Sequence, residues 1–371
     1  MESKNRLILL DLLRAIGVLL MVEGHTIDAV LSPAYKDSSS FLFQFWTFFR
    51  GLTAPFFFFT SGFAFVIASV KENNGVIFVT RKARVRRVRR IFTLLLLGYG
   101  LHFPLHLIYD ISSVSNEEWR IFLLVDALHI ISFSLAIILL AAIFVHKLGT
   151  LRKAYAGLAF LALVLAPITE PIQWEKILPS FLYPYMTFRA GSFFTFFPFS
   201  GYLFAGAAFG VTALLIPKEL KAFVVSRNLL FASLISITGF CLFFPIQLIF
   251  VSPYVDYWRA LPAVNLLRFG IVTLVGAFIG YSTRRVQRLP KILPAIGKHS
   301  LAVYVVHLMI VYGSPFNIGL AQMIVGGVNP WLAAVVAVIV ISLMIGMVYA
   351  IEVYKSRRKA FEAVVVREIA K

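Results

Sequence analysis

Long apolar runs recur along the whole chain and constrain its fold more than any other feature. A helix needs about 20 mostly apolar residues to cross the ~30 Å hydrocarbon core of a bilayer. About ten runs reach or approach that length, the fifth and ninth being short: 7–31, 41–70, 91–109, 120–145, 154–168, 194–216, 229–251, 262–282, 300–318 and 331–353. The sequence therefore predicts an all-α integral membrane protein, a polytopic bundle of about ten transmembrane helices.

The composition excludes a compact soluble enzyme. Of the 371 residues, 60% are hydrophobic and 14% are charged, whereas soluble domains are about 45–50% apolar and roughly 25% charged. So little polar surface cannot cover a water-facing sphere. The longest connection, about 169–193, is rich in proline and aromatic residues, and we expect an ordered cap there. We identify no separate soluble domain and expect residues 1–371 to form a single transmembrane domain.

The net charge of +18 would suggest a nucleic-acid partner in a soluble protein, but the basic residues are spread over separate connections. In a ten-span topology these connections all lie on one face. They contain Lys4, Arg6, the run 81–90, Lys147, Arg152, Lys153, Lys218, Lys221, Arg227, Arg284, Arg285, Arg288, Lys291, Lys298, Lys355, Arg357, Arg358 and Lys359. The positive-inside rule makes that face cytoplasmic. We therefore expect a multi-pass protein of the cell (plasma or inner) membrane, with both termini cytoplasmic, lipid partners and no nucleic acid.

Ionisable residues inside the first apolar run are the strongest functional signal. A charged side chain in hydrocarbon costs roughly 2.5–3.5 kcal/mol or more, so it usually faces a partner inside the bundle. His25 follows Arg14 after ten intervening residues, which leaves an angle of about 20° between them on a helix. Asp11 lies about 60° from Arg14 on the same side. These three side chains form a stripe, with about 16 Å along the axis between Arg14 and His25.

Two interpretations of this stripe stay open from the spacing. Asp11 and Arg14 could form an i, i+3 ion pair that fixes helix packing, with His25 at the helix interface. Alternatively, His25 acts as a general base, because a neutral imidazole can take a proton near pH 7. Arg14 would then hold an anion or a developing oxyanion in a dry site.

Several segments resemble the transmembrane acyltransferase superfamily. Residues 6–25, RLILLDLLRAIGVLLMVEGH, resemble its first helix with Arg-x10-His, and residues 50–63, RGLTAPFFFFTSGF, resemble its Phe-rich second helix with Ser-Gly. Four further segments resemble the branch that contains heparan-α-glucosaminide N-acetyltransferase: GYGLHFP (98–104), VDALHIISFSL (125–135), FPFSGYLFAGAAFG (197–210) and IGKHSLAVYVVHLMIVYG (296–313). The Ser-Gly-Phe pattern also resembles the branch that O-acylates polysaccharides.

The resemblance implies an enzyme that moves an acyl group, most simply acetyl, from cytoplasmic acetyl-CoA to a glycan. The acceptor would be a hydroxyl or amine of an extracytoplasmic glycan or sugar. The resemblance implies catalytic roles for His25 and Arg14, with Asp11 orienting or charge-balancing Arg14. Whether His25 acts as a base or carries the acyl group itself stays open, and we favour direct transfer.

The basic run RKARVRRVRR (81–90) is the candidate site for the polyanionic CoA nucleotide. Arginine binds phosphate through paired, charge-assisted hydrogen bonds. Arg86, Arg89 and Arg90 are the strongest candidates because they lie nearest the entry of the following helix. A purely topogenic or lipid-binding role is an equal alternative, since cytoplasmic loops of membrane proteins are basic in any case.

Four other polar residues are weaker candidates for contact with substrate or a channel. Asp126 and His129 are spaced i, i+3 in the fourth run, and Tyr304 and His307 in the ninth. Plain hydrogen bonds between helices would explain both pairs as well. The single cysteine excludes a cysteine-based metal centre, and we expect no metal. Homo-oligomerisation is left open by the sequence.

Two other classes of function stay open from the residues alone. A secondary transporter or flippase could use Asp11, Arg14 and His25 as a coupling pathway, and paired inverted repeats with matched broken helices would favour it. A non-catalytic membrane scaffold would need no channel between the run 81–90 and His25. We identify no internal repeat, and the acyltransferase is our leading hypothesis.

Overall fold

The computed structural model describes residues 8–73, 76–104, 111–250, 257–283, 290–314 and 317–369. Their regular structure is α-helical except for short 3₁₀ turns and one hairpin, as expected for the all-α class. Five of the basic residues used to orient the chain lie outside the described residues: Lys4, Arg6, Arg284, Arg285 and Arg288.

We number the described helices in chain order. They are α1 (Ile8–Val30), α2 (Phe41–Arg50), α3 (Thr53–Ser69), α4 (Arg81–Leu101), α5 (Asn116–Phe122), α6 (Ala127–Phe144), α7 (Leu148–Thr169), α8 (Phe196–Leu215), α9 (Lys218–Phe250), α10 (Tyr257–Ala260), α11 (Pro262–Thr283), α12 (Ile292–Lys298), α13 (Ser300–Tyr312), α14 (Leu320–Met323) and α15 (Pro330–Ile369). Strands β1 (Lys71–Asn73) and β2 (Val76–Phe78) pair antiparallel, with Lys71 opposite Phe78.

Within the described residues, seven helical segments are long and apolar enough to cross a membrane, and the bent pair of α12 and α13 is an eighth candidate. The seven are Phe41–Ser69, Ala127–Phe144, Leu148–Thr169, Phe196–Leu215, Glu219–Gln247, Pro262–Thr283 and Pro330–Arg358. This confirms the multi-pass membrane class that the apolar runs predict. The count of ten spans stays a prediction.

The ninth predicted span, 300–318, differs from the structure at both ends. The helical segment already begins at Ile292 as α12, bends by 77° at a break before α13, and ends at Tyr312. Gly313 follows with a φ of +83°, a conformation that glycine adopts without the steric penalty of a Cβ atom. The helix therefore stops at Tyr312, which shortens the apolar run from its carboxyl end.

The chain divides into two compact units, which we describe separately. Within the described residues, the terminal unit combines 8–53 with 290–369, and the central unit is 54–283. In the terminal unit, α1 packs against α12, α13 and α15. In the central unit, α7 packs against α8, α9 against α11, and α4 against α6.

Glycines allow α3 and α8 of the central unit to cross at very short distance. A Cβ atom at Gly62 of α3 would strike the backbone carbonyl of Leu203, and one at Gly206 of α8 would strike the carbonyl of Phe59. Small residues at such crossings let helix backbones approach closely where no hydrophobic force drives the helices together in lipid. These two positions therefore require glycine.

The connection between α7 and α8 is ordered and forms no span, as its prolines predict. It folds into three 3₁₀ turns, Trp174–Lys176, Tyr183–Tyr185 and Phe188–Ala190. The buried carboxylate of Glu170 anchors it by accepting hydrogen bonds from the Thr187 hydroxyl at 2.9 Å and the Phe188 N–H at 3.1 Å. Burial raises the pKa of Glu170 above its ordinary value despite these hydrogen bonds.

Candidate active site

His25 lies near the carboxyl end of α1 and contacts two side chains of α13. Its ring centroid is 5.3 Å from that of His307 and 5.6 Å from that of Tyr312, edge-to-face in both cases. The His307 ring in turn lies 5.9 Å from Tyr304, one turn earlier. We call His25, Tyr304, His307 and Tyr312 the histidine cluster. The structure therefore brings together three residues that the sequence singled out on two distant helices.

Two ring nitrogens of the histidine cluster are buried with no hydrogen-bond partner among the described residues. They are Nδ1 of His25 and Nε2 of His307. The other nitrogen of His307, Nδ1, lies 2.8 Å from the carbonyl oxygen of Val303. Because a carbonyl only accepts, Nδ1 carries the hydrogen, and the neutral His307 presents Nε2 as an acceptor.

Unsatisfied buried nitrogens are uncommon and need a reason. Leaving such an atom without a partner costs about 1–3 kcal/mol. Folded proteins retain such atoms where a reaction, a ligand or an ordered water uses them. The two imidazoles therefore mark a polar site inside the terminal unit. The described residues contain no group of three His, Cys, Asp or Glu side chains that could hold a metal ion.

An ion pair that the sequence analysis missed flanks His25. Nη1 of Arg50, the last residue of α2, lies 2.6 Å from Oδ1 of Asp28, and Nζ of Lys36 lies 3.8 Å from the same oxygen. A Cβ atom at Gly24 would lie 2.7 Å from Cγ of Arg50. Glycine at this position therefore lets the arginine lie against α1 beside the histidine. Asp28, one turn beyond His25 on α1, was the signal in the sequence.

Aromatic packing holds the same arginine in place. The Arg50 guanidinium lies 5.0 Å from the ring centroid of Trp46, a distance typical of cation–π attraction. Nε1 of Trp46 donates a hydrogen bond of 2.8 Å to Oε1 of Glu23 on α1. Contacts on both sides of Trp46 thus fix α2 against α1 and orient Arg50.

Asp11 and Arg14 lie at the other end of α1. Asp11 is buried and Arg14 is half-buried, and Gly297 of α12 packs against both. A Cβ atom at Gly297 would lie 3.1 Å from Cβ of Arg14 and would strike the carbonyl of Asp11. These two residues are thus at the crossing of α1 and α12, while about 16 Å of helix axis separates Arg14 from His25.

Asp126 caps the start of α6 in the central unit, and His129 lies beside its carboxylate. Oδ1 of Asp126 accepts hydrogen bonds from the N–H groups of Leu128 and His129, and it lies 2.7 Å from Nδ1 of His129. The carboxylate only accepts, so Nδ1 carries the hydrogen. Nε2 of His129 is buried with no hydrogen-bond partner within the described ranges. The pair therefore caps a helix, a role that its spacing alone did not indicate.

The basic run occupies the first turns of α4, with side chains in two environments. Arg86, Arg89 and Arg90 are exposed. Arg87 points inward, where Nη2 donates a hydrogen bond of 2.8 Å to the carbonyl of Ala68 and the guanidinium lies 5.4 Å from the Phe65 ring. Cations in the first turns of a helix oppose its dipole, so the exposed arginines do not stabilise α4. Their position is favourable for binding an anion.

Comparison with known families matches nearly the whole chain. A family model described as an acyltransferase domain aligns with residues 7–350. No curated protein matches the sequence significantly. The aligned range contains α1 with its stripe, the exposed arginines of α4 and the bent pair of α12 and α13.

Proposed function

Because the chain belongs to the acyltransferase domain family of multi-pass membrane proteins, we propose that it acetylates an extracytoplasmic glycan or sugar. The donor is cytoplasmic acetyl-CoA, and the acceptor group is a hydroxyl or an amine. Family membership supports acyl transfer as the reaction. The observation that carries the assignment of the site is the pair of buried, unpartnered imidazole nitrogens in the histidine cluster.

In this proposal His25 is the general base. The acceptor oxygen or nitrogen forms a bond to the acyl carbon while His25 takes its proton. The bond from that carbon to sulfur then breaks, and the proton passes from His25 to the departing thiolate to give free CoA. Base catalysis of this kind typically contributes 10²–10⁴-fold. Nε2 of His307, an unprotonated acceptor in ring contact with His25, holds a second hydroxyl of the acceptor.

We propose different roles for the two cations from their positions. Arg50 is fixed beside His25 by Asp28 and Trp46, so it is the nearer cation for the oxyanion that develops at the acyl carbon. Arg14 lies about 16 Å away along the axis, which favours the anion-holding role over the oxyanion role that the spacing left open. Asp11 balances its charge.

We assign binding of the CoA phosphates in the central unit to Arg86, Arg89 and Arg90. We expect Arg89→Ala and Arg90→Ala to raise KM for acetyl-CoA roughly tenfold each, because each loses one charge-assisted phosphate contact. The measurement is steady-state transfer at varied acetyl-CoA concentration. Arg152→Ala, which removes an equally exposed cation from the first turns of α7, is the matched control. Equal KM values for all three variants and the wild type would refute the assignment.

We also propose ten spans, with both termini cytoplasmic, in the cell membrane. Seven candidate segments and one bent pair among the described residues satisfy the length and hydropathy of a span. Helices α1 and α4 have 23 and 21 residues, about 35 and 32 Å at 1.5 Å per residue, so both are long enough. Both carry several charged residues, which we interpret as functional. Fusions of a cytoplasm-dependent fluorescent reporter to each terminus should both fluoresce, and a dark fusion at either end would contradict the topology.

The central experiment is transfer of radiolabelled acetyl from acetyl-CoA by the purified protein in nanodiscs, with a panel of amino sugars and neutral sugars. The segments 98–104, 125–135 and 296–313 favour the N-acetyltransferase branch, so we expect amino sugars to be the better acceptors. Preference for hydroxyl acceptors would indicate the polysaccharide O-acyltransferase branch. We expect His25→Ala to reduce transfer at least 100-fold. Full transfer by both His25→Ala and Arg14→Ala would refute the site.

A further inference from the structure

A cleft of about 370 Å³ opens in the central unit, apart from every residue assigned above. One wall is α5, which contributes Asn116, Trp119 and Arg120, and the other is the connection between α7 and α8, which contributes Ser180 and Tyr183. In the proposed topology both walls belong to extracytoplasmic connections. The volume is in the range of small-molecule sites, about 300–1,000 Å³.

Four polar groups of the cleft have no hydrogen-bond partner among the described residues. They are the side-chain amide of Asn116, the indole N–H of Trp119, and the hydroxyls of Ser180 and Tyr183. Trp119 and Tyr183 are half-buried, so each offers both a ring surface and a polar group. Rings with an apolar body and a polar edge are typical of surfaces that bind amphipathic ligands.

The fifth polar side chain of the cleft, Arg120, is paired with neighbouring groups. Nε and Nη2 of Arg120 donate hydrogen bonds of 2.8 and 2.6 Å to the two carboxylate oxygens of Glu117, and Nη1 donates one of 3.3 Å to the carbonyl of Ala190. These hydrogen bonds lower the pKa of the Glu117 carboxyl below its ordinary value. The pair is therefore ionised on both sides and contributes no net charge, which disfavours an anionic ligand.

Both walls are held in place before any ligand arrives. Helix α5 begins with a capping box, in which Ser115 Oγ accepts from the Glu118 N–H and the Glu118 carboxylate accepts from the Ser115 N–H. The opposite wall is anchored by the buried Glu170. A cleft that is already formed loses little conformational entropy on binding.

We propose that this cleft binds the acceptor glycan through uncharged, hydroxyl-rich sugar units that flank the unit carrying the accepting group. A sugar ring has C–H faces that pack on aromatic rings and a rim of hydroxyls that pair with the four free polar groups. Trp119 and Tyr183 supply the ring surfaces, and Asn116 and Ser180 supply hydrogen bonds to the rim. This inference rests on the proposed function for the identity of the ligand as acceptor, but binding itself can be measured without any transfer.

The test is isothermal titration calorimetry of the full chain in nanodiscs, without acetyl-CoA. The probes are cellotetraose, chitotetraose and a heparin-derived tetrasaccharide. We expect at least one neutral probe to bind, and Trp119→Ala and Tyr183→Ala each to weaken it about tenfold or more, as loss of a central aromatic contact does. Phe181→Ala is the matched control, because Phe181 is an exposed ring of the same connection outside the cleft lining.

The outcomes separate this inference from the proposed function. Unchanged affinity in both cleft variants, binding of neither neutral probe, or tighter binding of the sulfated probe would overturn the cleft assignment. Suppose that the wild type transfers no acetyl group, but Trp119→Ala weakens oligosaccharide binding and Phe181→Ala does not. The assignment of the cleft is then supported and the proposed transferase function is refuted.

Discussion

His25 and His129, one in each unit, have different hydrogen-bond surroundings. Asp126 accepts from Nδ1 of His129 and fixes its tautomer as part of a helix cap. No hydrogen bond to a described residue fixes Nδ1 of His25, whose ring contacts those of His307 and Tyr312 and lies beside the ion pair of Arg50 and Asp28. Because Nε2 of His129 is also buried without a hydrogen-bond partner among the described residues, we distinguish a catalytic base from a helix cap by whether a carboxylate fixes Nδ1.

Matched substitutions of the two histidines test that difference directly, and one of them has the largest effect on transfer that we expect. We expect His25→Asn to lower acetyl transfer at least 100-fold, because asparagine cannot take a proton. His129→Asn should keep transfer per folded molecule within about threefold, because its side-chain amide can still donate to Asp126. Radiolabel transfer normalised to folded protein from size-exclusion chromatography is the measurement. Comparable losses of acetyl transfer in the two variants would contradict this distinction and would indicate that His129 takes part in the reaction.

His307→Phe should have the next largest effect. Phenylalanine keeps the ring packing on His25 and Tyr304 but removes the acceptor Nε2, so we expect about a tenfold loss of transfer, the equivalent of one hydrogen bond. The loss should appear in the KM for the acceptor sugar more than in that for acetyl-CoA. Wild-type kinetics in His307→Phe would show that its unpartnered nitrogen has no role in binding.

Asp126→Ala should lower stability by about 1 kcal/mol, the usual loss for a helix N-cap. Asp126→Asn should restore most of it, since the amide oxygen can accept from the same two N–H groups. Thermal unfolding in detergent, followed by tryptophan fluorescence, compares the two variants with the wild type. Transfer per folded molecule should change little in either. If Asp126→Ala is as stable as the wild type but impaired in transfer, Asp126 and His129 belong to the active site and do not act only as a helix cap.

Tyr312→Phe is expected to have the smallest effect. The Tyr312 ring packs edge-to-face with that of His25, so removing the hydroxyl leaves this contact intact and should change transfer less than twofold. Initial rates at saturating donor are sufficient to measure this. A larger loss would mean that the hydroxyl, and not only the ring, acts on His25.

The sequence predicted the helical class and most spans because apolar length is a local property. It also identified His25, Tyr304 and His307 one by one. It could not predict that they meet, because spacing along α1 gives no information on which helix faces it. The pair of Arg50 and Asp28 was missed for the same reason.

The break in the ninth span was missed on different grounds. Lys298 and His299 interrupt the apolar pattern, so the segment before them looked like part of a cytoplasmic connection. The sequence did not predict the capping role of Asp126. A pair of polar residues spaced i, i+3 inside an apolar run is equally consistent with a hydrogen bond between helices. In each case the structure depends on the local backbone geometry or on which helix is the neighbour, and the sequence shows neither.

The bend between α12 and α13 has a further consequence for the membrane itself. A helix that turns by 77° interrupts its own ladder of backbone hydrogen bonds, and α13 starts without a side-chain cap. The His299 N–H still donates to the Ala295 carbonyl, but any N–H of the first turn of α13 that has no partner cannot face lipid tails, so we expect water to reach it. The break lies next to Gly297, which touches Arg14. We therefore expect the bilayer to be locally hydrated there, with a shortened electrical barrier across this part of the protein.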